Sequence, residues 1–221
     1  MTQGDNAPEP TIRAYEPRDR DAVRRISYDT ADGGAPGIAI STDRELIEDV
    51  LTEYYTDYEP GSLSVMEVDG KVVGYLEGCL DTRRQLSITA RRIWPRAILK
   101  AVIRGALFRA DTWRIACSAV KVFLSGGTQR GVDLDRYPAH LHVDILEGYR
   151  GRKAGTALME RFLAQAKAAG VAGVHLAVRE DNMPARRFFE KTGFVEITKQ
   201  PSVFVPRGMR RLYSVIYGKQ L

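Results

Sequence analysis

A short basic segment after an apolar run has the residue types of an anion-binding loop. The apolar residues end at Leu146, and glycines with Arg150, Arg152 and Lys153 follow before helical spacing begins. The start of a helix presents unpaired backbone N–H groups and the positive end of the helix dipole to an anion. Glycine lets the backbone approach a ligand, and the basic side chains add charge. The segment predicts a phosphate-binding loop at a strand end, although solvated charges at an ordinary helix start fit the bare pattern equally well.

Three polar side chains alternate along the strand that leads into this loop. Period-two spacing between His140 and Leu146 places His140, His142 and Asp144 on one face. Histidine or aspartate can remove a proton from an amine, so His142 and Asp144 are the candidate catalytic bases. The alternative is structural, with these groups hydrogen-bonded to loops. A metal site is disfavoured because no third ligand lies at close spacing, and His175 is expected to be structural.

The surrounding sequence predicts the elements that position these residues. Alternating residues on either side of Asp69-Gly70 indicate an antiparallel hairpin. Strands and helices then alternate to the C-terminus, which is typical of a mixed α/β sheet. We expect a disordered lead over residues 1–10 and one domain over 11–221. The expected elements are strands Thr11–Tyr15, Leu63–Val68, Lys71–Cys79, His140–Leu146, Val174–Val178, Phe194–Ile197 and Arg211–Tyr217, helices Asp19–Tyr28, Arg44–Tyr55 and Pro184–Lys191, and a loop near the site at Asp29–Gly37.

A second motif follows the basic loop about thirty residues later. The segment Asn182–Phe194 reads Asn-Met-Pro-Ala-Arg-Arg-Phe-Phe-Glu-Lys-Thr-Gly-Phe. The two motifs together resemble the GNAT superfamily of CoA-dependent N-acetyltransferases, which has an Arg/Gln-x-x-Gly-x-Gly/Ala loop and then an Asn-x-x-Ala-x-x-Phe-Tyr-x-x-x-Gly-Phe segment. Their order, spacing and intervening strand agree. The resemblance implies an α+β GNAT fold, with a central, mostly antiparallel mixed sheet and helices on both faces.

Three further segments are similar to the acetyltransferase-like domain attached to O-GlcNAcase and to its stand-alone bacterial relatives. They are Tyr137–Leu146, Gly173–Leu176 and Gly78–Thr82, and this resemblance runs from Thr11 to Tyr217. That lineage includes pseudoenzymes. The resemblance therefore implies an acetyltransferase or, as the alternative, a non-catalytic acyl-CoA-binding or interaction module.

The superfamily resemblance also implies where acetyl-CoA, the acetyl donor, is held. The pyrophosphate is expected on backbone amides of the basic loop. The pantetheine arm is expected beside the strand end, in a notch where neighbouring strands separate, flanked by Phe188 and Phe189. The implied cofactor-binding residues are Ile145, Leu146, Arg150, Gly151, Arg152, Lys153, Ala154, Gly155, Thr156, Asn182 and Phe189.

Two residues depart from the superfamily pattern. Lys153 stands where the family loop has its first glycine, so its side chain is expected to point outward or to add charge to a phosphate. Phe189 stands where a tyrosine often protonates the departing CoA thiolate, and a phenyl ring cannot donate that proton. These departures are the best arguments for the non-catalytic module.

The region of about 82–130 is a strongly basic helical insertion. Counted from Asp81, it carries eleven arginines and lysines against two aspartates, a net charge of +9 in a chain whose total is +5. Apolar residues recur there at helical spacing, namely Ile93, Ala97 and Ala101, and Ile98 and Val102. A helix over Ile93–Phe108 is expected to bury its apolar face, with its charges in water. The alternatives are a lid, a subunit contact in a homodimer, or a surface for anionic partners. Sparse aromatic residues make the case for nucleic acid weak.

Composition and cysteine usage bound the class of protein. The 221 residues are 44% hydrophobic and 28% charged, which is typical of a soluble chain without a membrane span. Cys79 and Cys117 lie in apolar stretches and are expected to be buried free thiols. With no signal peptide evident, this predicts a cytoplasmic location.

The expected activity is transfer of acetyl from acetyl-CoA to a primary amine, namely a small amine, an amino sugar or lysine. Neither cysteine lies in a recognised nucleophile context, so direct attack is expected rather than an acyl-enzyme. A backbone N–H near Ile145 is expected to polarise the thioester carbonyl. Asp29, Asp32 and Glu48 are candidates for attracting a cationic acceptor.

Overall fold

The structure is a computed structural model that describes residues 9–34, 36–106, 109–110, 113, 117, 131–151, 153–202, 205, 208–209 and 211–221. Most of the predicted lead, most of the second half of the insertion, and Arg152 of the predicted phosphate loop therefore lie outside the described residues. The described strands are β1 (Thr11–Ala14), β2 (Leu63–Val68), β3 (Lys71–Cys79), β4 (Ala139–Ile145), β5 (Gly173–Arg179), β6 (Val195–Pro201) and β7 (Tyr213–Gln220). The helices are α1 (Arg20–Thr30), α2 (Arg44–Glu53), α3 (Thr82–Ile88), α4 (Trp94–Ile103), α5 (Ala154–Ala168) and α6 (Met183–Lys191).

Local sequence signals explain several of these boundaries. Asp69 and Gly70 both have positive φ angles, 49° and 71°, as a tight hairpin turn between β2 and β3 requires. The Asp43 side chain accepts a hydrogen bond from the Leu46 N–H and caps α2. Asn182 caps α6 in the same way. The predicted hairpin is therefore confirmed.

The seven strands form one mixed sheet in the order β1-β2-β3-β4-β5-β7-β6. Every neighbouring pair is antiparallel except β4 and β5, which are parallel. Helices lie on both faces of the sheet. The predicted α+β fold with a central, mostly antiparallel sheet is confirmed.

The face covered by α5, here called the back face, is an apolar core. Leu76, Leu141 and Leu176 project from adjacent strands into this core, where they meet Phe162 from α5. A Cβ added to Gly78 would lie 2.2 Å from the Phe162 ring, so the ring rests directly on the backbone of β3. Helix α5 is therefore held closely against the strands that carry the predicted site.

The opposite face, here called the front face, is covered by α1, α2 and the described part of the insertion. Ala97 and Ala101 of α4 are buried, which lets α4 approach α2 closely. Lys100 and Arg104 form ion pairs with the α2 side, to Asp49 at 2.8 Å and to Asp43 at 3.1 Å. These charges are not simply solvated, so that part of the prediction is wrong.

The apolar residues of this helical region divide between core and surface. Ile93, Ala97 and Ala101 are buried, as expected. Ile98 and Val102 are exposed, because the alanine side of α4, with its paired lysine and arginine, turns toward α2. Cys79 is a buried free thiol, as predicted, whereas Cys117 is exposed. Within the described ranges, no helix is both long and apolar enough to cross a membrane.

Candidate functional site

The parallel strands β4 and β5 separate shortly after they meet. Their register contains only two pairs, Ala139 with Val174 and His140 with His175, although each strand has seven residues. Beyond His140 the edge of β4 that faces β5 is unpaired in the described structure. The two strands therefore form the sides of a notch.

The backbone of β4 directs polar groups into this notch. The Leu146 N–H donates to the Val73 carbonyl of β3 at 3.0 Å. Because hydrogen-bonding direction alternates along an antiparallel strand, the N–H and C=O groups of Val143 and Ile145 point the other way, toward the notch. The Arg150 Nε donates to the Ile145 carbonyl at 2.8 Å, which fits this direction. The N–H groups of Val143 and Ile145 can donate hydrogen bonds to a ligand carbonyl, whereas the Leu146 N–H already donates to Val73.

Helix α5 begins at the open end of the notch. Its N-terminal flank is Lys153, whose side chain makes no capping hydrogen bond, and the first helical hydrogen bond runs from the Ala157 N–H to the Lys153 carbonyl. The N–H groups of Ala154 and Gly155 have no acceptor among the described residues. A Cβ added to Gly151 would meet no atom within 4 Å. The helix start therefore has N–H groups available to an anion, and phosphate binding by this loop stays a prediction.

The backbone at Lys153 explains the first departure from the superfamily pattern. Lys153 is exposed and has φ 57° and ψ −1°, the left-handed conformation that glycine adopts most easily. The backbone of the glycine position is thus kept although the side chain differs. The lysine points away from the core, in agreement with the predicted outward direction.

The aromatic pair of α6 divides between the notch and the core. A Cβ on Gly155 would lie 3.4 Å from the Phe188 ring and 3.7 Å from Ile145 Cδ1, so these side chains meet at the floor of the notch. Phe189 is 6% exposed and packs on Phe188 and Phe194 with ring centroids 5.1 and 5.9 Å apart. The roles predicted for Phe189 and for Asn182 in binding the cofactor stay predictions.

The loop after α1 lies beside the notch, as predicted for Asp29–Gly37. Asp32 forms an ion pair with Arg179 at the end of β5, and the Asn182 amide donates to the Gly33 carbonyl at 3.4 Å. The guanidinium of Arg150 lies against Gly34. Asp32 is thus neutralised by Arg179 rather than free to attract an acceptor.

His140 is held at both ring nitrogens on the front face. Its Nε2 pairs with the Tyr55 hydroxyl at 2.8 Å and its Nδ1 with the Thr82 hydroxyl at 2.7 Å. Tyr55 lies in a π-helical turn directly after α2, and Thr82 opens α3. The Nδ1 of His175 donates to the Tyr137 carbonyl at 2.9 Å, which supports the structural role predicted for His175.

His142 differs from its two neighbouring histidines. It is solvent-accessible, and neither ring nitrogen has a hydrogen-bond partner in the part of the chain that the structure describes. The surrounding protein and the nearby His175 nevertheless lower the pKa of His142 to about 4. This accessible ring is therefore neutral at pH 7. A neutral imidazole with a free nitrogen can accept a proton.

Asp144 lies two residues further along β4 and therefore on the same face of the sheet. Its Oδ2 accepts a hydrogen bond from the Tyr75 hydroxyl at 3.0 Å. Burial raises the pKa of the Asp144 carboxyl, against the opposing effects of hydrogen bonds from Tyr75 and Thr30 and the charge of Arg150. The predicted alternation of His140, His142 and Asp144 on one face is confirmed by their register with β3.

The structure adds one residue that the sequence analysis did not select. Glu77 of β3 lies directly opposite His142 on the front face and is 2% exposed. Its Oε1 atom is buried without a hydrogen-bond partner among the described residues. Burial, and then the charge of Asp144, raise its pKa well above the usual value. The signal was a lone glutamate at an alternate position of an apolar strand.

Comparison with known proteins identifies the class to which this site belongs. Residues 125–194 match the family model described as "Acetyltransferase (GNAT) family". Over the whole chain, the fold is similar to the crystal structure of SsHAT, with a TM-score of 0.73, 29% identity, and coverage of 96% of this chain and 98% of that one. The fold is also similar to yncA, a putative acetyltransferase from Salmonella typhimurium determined with its cofactor acetyl-CoA (TM-score 0.59, 20% identity, 96% and 94% coverage).

Curated relatives agree with this class over a shorter stretch. The chain is 43% identical over 65 residues to the uncharacterized N-acetyltransferases Mb2688 of Mycobacterium bovis and Rv2669 of Mycobacterium tuberculosis. That stretch is 29% of this chain and spans 40% of the length of those relatives. Residues 125–194 are therefore similar to the GNAT acetyltransferase family, and the fold of the chain is similar to that of N-acetyltransferases of this class.

Proposed function

We propose that this chain is an acetyl-CoA-dependent N-acetyltransferase that passes the acetyl group directly to a primary amine. The observation that carries the proposal is the notch between β4 and β5, which has free N–H groups along one side and an uncapped helix start at its mouth. The similarity to the GNAT family and the acetyl-CoA complex of the yncA relative support acetyl-CoA as the donor.

The residues present fit this donor. The first N–H groups of α5, with Arg150 and Lys153 beside them, suit a pyrophosphate. The edge of β4 at Ile145 suits the extended pantetheine arm of acetyl-CoA, which carries amide groups. Phe188 provides an apolar floor for this arm. Arg152 is predicted to join this group. Acetyl-CoA supplies the activated acetyl group, and the protein holds it and orients its carbonyl.

The reaction needs a polarised carbonyl and a route for protons. We assign the N–H groups of Val143 and Ile145 to the thioester oxygen, where fixed donors stabilise developing negative charge. His142 and Asp144 lie on the adjacent face and are the assigned proton acceptors. An acyl-enzyme is disfavoured because neither cysteine lies in a recognised nucleophile context. Cys79 is also buried, and burial raises the pKa of its thiol.

The acceptor is proposed to be a small amine, an amino sugar or a lysine side chain. The free buried thiol of Cys79 supports a proposed cytoplasmic location. Homodimer formation through the insertion stays a prediction. A second function, a non-catalytic acyl-CoA-binding module, is favoured by one observation: Phe189 is buried and has no hydroxyl to protonate a thiolate.

Calorimetric titration with acetyl-CoA, followed by detection of released CoA thiol, tests both functions. We expect one-to-one binding and thiol release with at least one of three amines: n-butylamine, glucosamine, or N-acetyl-lysine methyl ester. At about a hundredfold excess over Kd, binding adds about 2.7 kcal/mol of stability, which corresponds to an increase in Tm of roughly 5–10 °C. Binding without thiol release would establish the non-catalytic module, and no binding at millimolar acetyl-CoA would exclude both functions.

A further inference from the structure

Glu77 is the exception among the buried acidic residues of this protein. In the described part of the chain, five acidic residues are buried, and four of them have a cationic partner within 4 Å. Glu77 has none, and its Oε1 lacks any hydrogen bond to the described residues. A buried ionised carboxyl without a partner is strongly destabilising. Such a group in a native site calls for a functional explanation.

The described residues around Glu77 provide no compensating positive charge. Its cross-strand partner is His142, and Tyr75 and Asp144 form the next cross-strand pair on the same face. Tyr55, from the turn after α2, packs edge-on against His142, and the two ring centroids are 6.0 Å apart. The charge of Arg150 acts on Asp144, the other carboxyl group of this face. These residues, here called the front-face cluster, therefore combine two carboxyl groups with aromatic rings, and no described lysine or arginine forms an ion pair with Glu77.

A ligand cation would supply the positive charge that the described residues of the front-face cluster do not provide. We propose that Glu77, with Asp144 beside it, binds the ammonium group of an aliphatic primary amine, and that Glu77 takes the proton which the amine must lose before it attacks. This inference rests on the proposed function and names its acceptor class. An ammonium group offers three N–H donors, enough for both carboxylates and one further acceptor. The aromatic rings of Tyr55 and Tyr75 can also attract a cation through cation–π interactions.

Proton affinity favours Glu77 over His142 for the first transfer. Desolvation lowers the pKa of His142 to about 4, whereas burial and Asp144 raise the pKa of Glu77 well above its usual value. The carboxylate is therefore the stronger base. A base with a pKa nearer to the working pH is the more effective one.

Acetyl transfer to the ammonium form of the acceptor requires the loss of two protons and the exchange of a carbon–sulfur bond for a carbon–nitrogen bond. The ammonium group transfers one proton to the Glu77 carboxylate, leaving a neutral amine and a neutral carboxylic acid. The amine nitrogen forms a bond to the thioester carbonyl carbon, and the carbon–sulfur bond breaks with the electron pair on sulfur. The nitrogen loses its second proton to His142, which passes it to the thiolate or to water. Glu77 returns its proton to water before the next cycle.

The same geometry selects against neutral acceptors. An alcohol or an arylamine carries no positive charge at neutral pH and leaves the Glu77 carboxylate unpaired. A site that is built to pair with a charged or hydrogen-bonding group strongly rejects analogues that lack this group. Aliphatic primary ammonium compounds are therefore the expected acceptors.

Carbon-13 NMR of the full chain, labelled at the glutamate side-chain carboxyl, tests the inference without requiring turnover. The Glu77 signal is assigned as the one lost in Glu77→Gln, with the exposed Glu160→Gln variant as matched control. We expect saturating n-butylammonium chloride to lower the apparent pKa of Glu77 by about one unit or more, a tenfold change in proton affinity, and n-butanol to leave it unchanged. An equal response to both compounds, or none to the ammonium, would overturn the inference.

Turnover separates this inference from the proposed function. With an amine that releases CoA thiol, Glu77→Gln is expected to lower kcat/KM at least 100-fold and to remove the acidic limb of its pH profile, with the acetyl-CoA Kd unchanged. Full activity in Glu77→Gln would refute the role of Glu77 and leave the transferase intact. Loss of acetyl-CoA binding by the wild type would instead refute the proposed function. Glu77→Asp, which keeps the carboxyl, is expected to retain part of the ammonium response and so exclude a folding effect.

Discussion

The two faces of strand β4 make opposite uses of buried surface. On the back face, Leu141 packs against Phe162 in a continuous apolar core. On the front face, His142 and Asp144 lie beside Glu77, whose buried Oε1 has no hydrogen-bond partner among the described residues. The back face contributes stability because apolar area leaves water. The front face lowers stability but provides the groups that the proposed chemistry needs. Because side chains alternate along β4, one strand contributes to the stable core on one face and to the proposed site on the other.

Damage to the back face should affect stability and leave binding intact. We expect Phe162→Ala to lower the free energy of unfolding by about 3–5 kcal/mol, because it opens a cavity where the ring rests on β3. For a chain of this size, Tm should fall by roughly 6–20 °C. Chemical denaturation and an acetyl-CoA titration below the transition measure the two quantities. A large loss of acetyl-CoA affinity in the folded variant would contradict the separation of the faces.

Damage to the front face should do the reverse. His142→Ala and Asp144→Ala are each expected to lower acetyl transfer about 100-fold or more, because a positioned proton acceptor is lost, with acetyl-CoA affinity retained. Initial rates of CoA release and calorimetry provide the measurements. His142→Gln is the matched control: it keeps a polar side chain but cannot take the proton, so recovery of activity in this variant would indicate a structural role.

The front face should also impose a pH dependence on stability. Because the folded-state pKa of Glu77 is raised, its contribution to stability is complete below its usual value of 4.5 and is lost as the pH rises through the folded pKa. The Tm of the wild type relative to Glu77→Gln is therefore expected to fall between pH 5 and pH 8. His142 and His175 act in the opposite direction, losing stability as the pH falls from 6.5 toward about 4, but equally in both proteins. Parallel curves for the two proteins would argue against a buried, unpaired Glu77.

The smallest expected effect concerns the backbone at the mouth of the notch. Lys153→Gly should stabilise the fold by about 1 kcal/mol, because glycine adopts the left-handed conformation without the penalty of a Cβ. Tm should rise by roughly 2–4 °C. Lys153→Ala is the control, since it removes the charge and keeps the Cβ. An equal gain in both variants would attribute the effect to charge instead of backbone conformation.

The sequence was sufficient for features that depend on local patterns. Alternation placed His142 and Asp144 on one face, the Asp69-Gly70 turn defined the hairpin, and the glycine-rich loop located the start of α5. Interactions between distant elements were not accessible in this way. Glu77 gains its meaning only from the register of β3 with β4, and nothing in its neighbours along the chain indicates that it lacks a cation.

The insertion illustrates the same limit. The local pattern of α4 did not show whether the side with Ala97 and Ala101 or the side with Ile98 and Val102 would be buried. The orientation is decided instead by α2, whose carboxylates at Asp43 and Asp49 pair with α4 cations and draw its alanine side inward. Electrostatic pairing between two helices 50 or more residues apart leaves no periodic signal in either one.

Reversing the charge at the start of α5 tests whether acetyl-CoA binds in the notch by its pyrophosphate. Thr156 lies in the first turn of α5, where a glutamate supports the helix dipole but repels a phosphate. Calorimetric titration with acetyl-CoA should give one-to-one binding for the wild type and the uncharged Thr156→Gln control, and at least tenfold weaker binding for Thr156→Glu, whose Tm should be equal or higher. Equal affinities in the three proteins, or no binding by the wild type, would contradict the account.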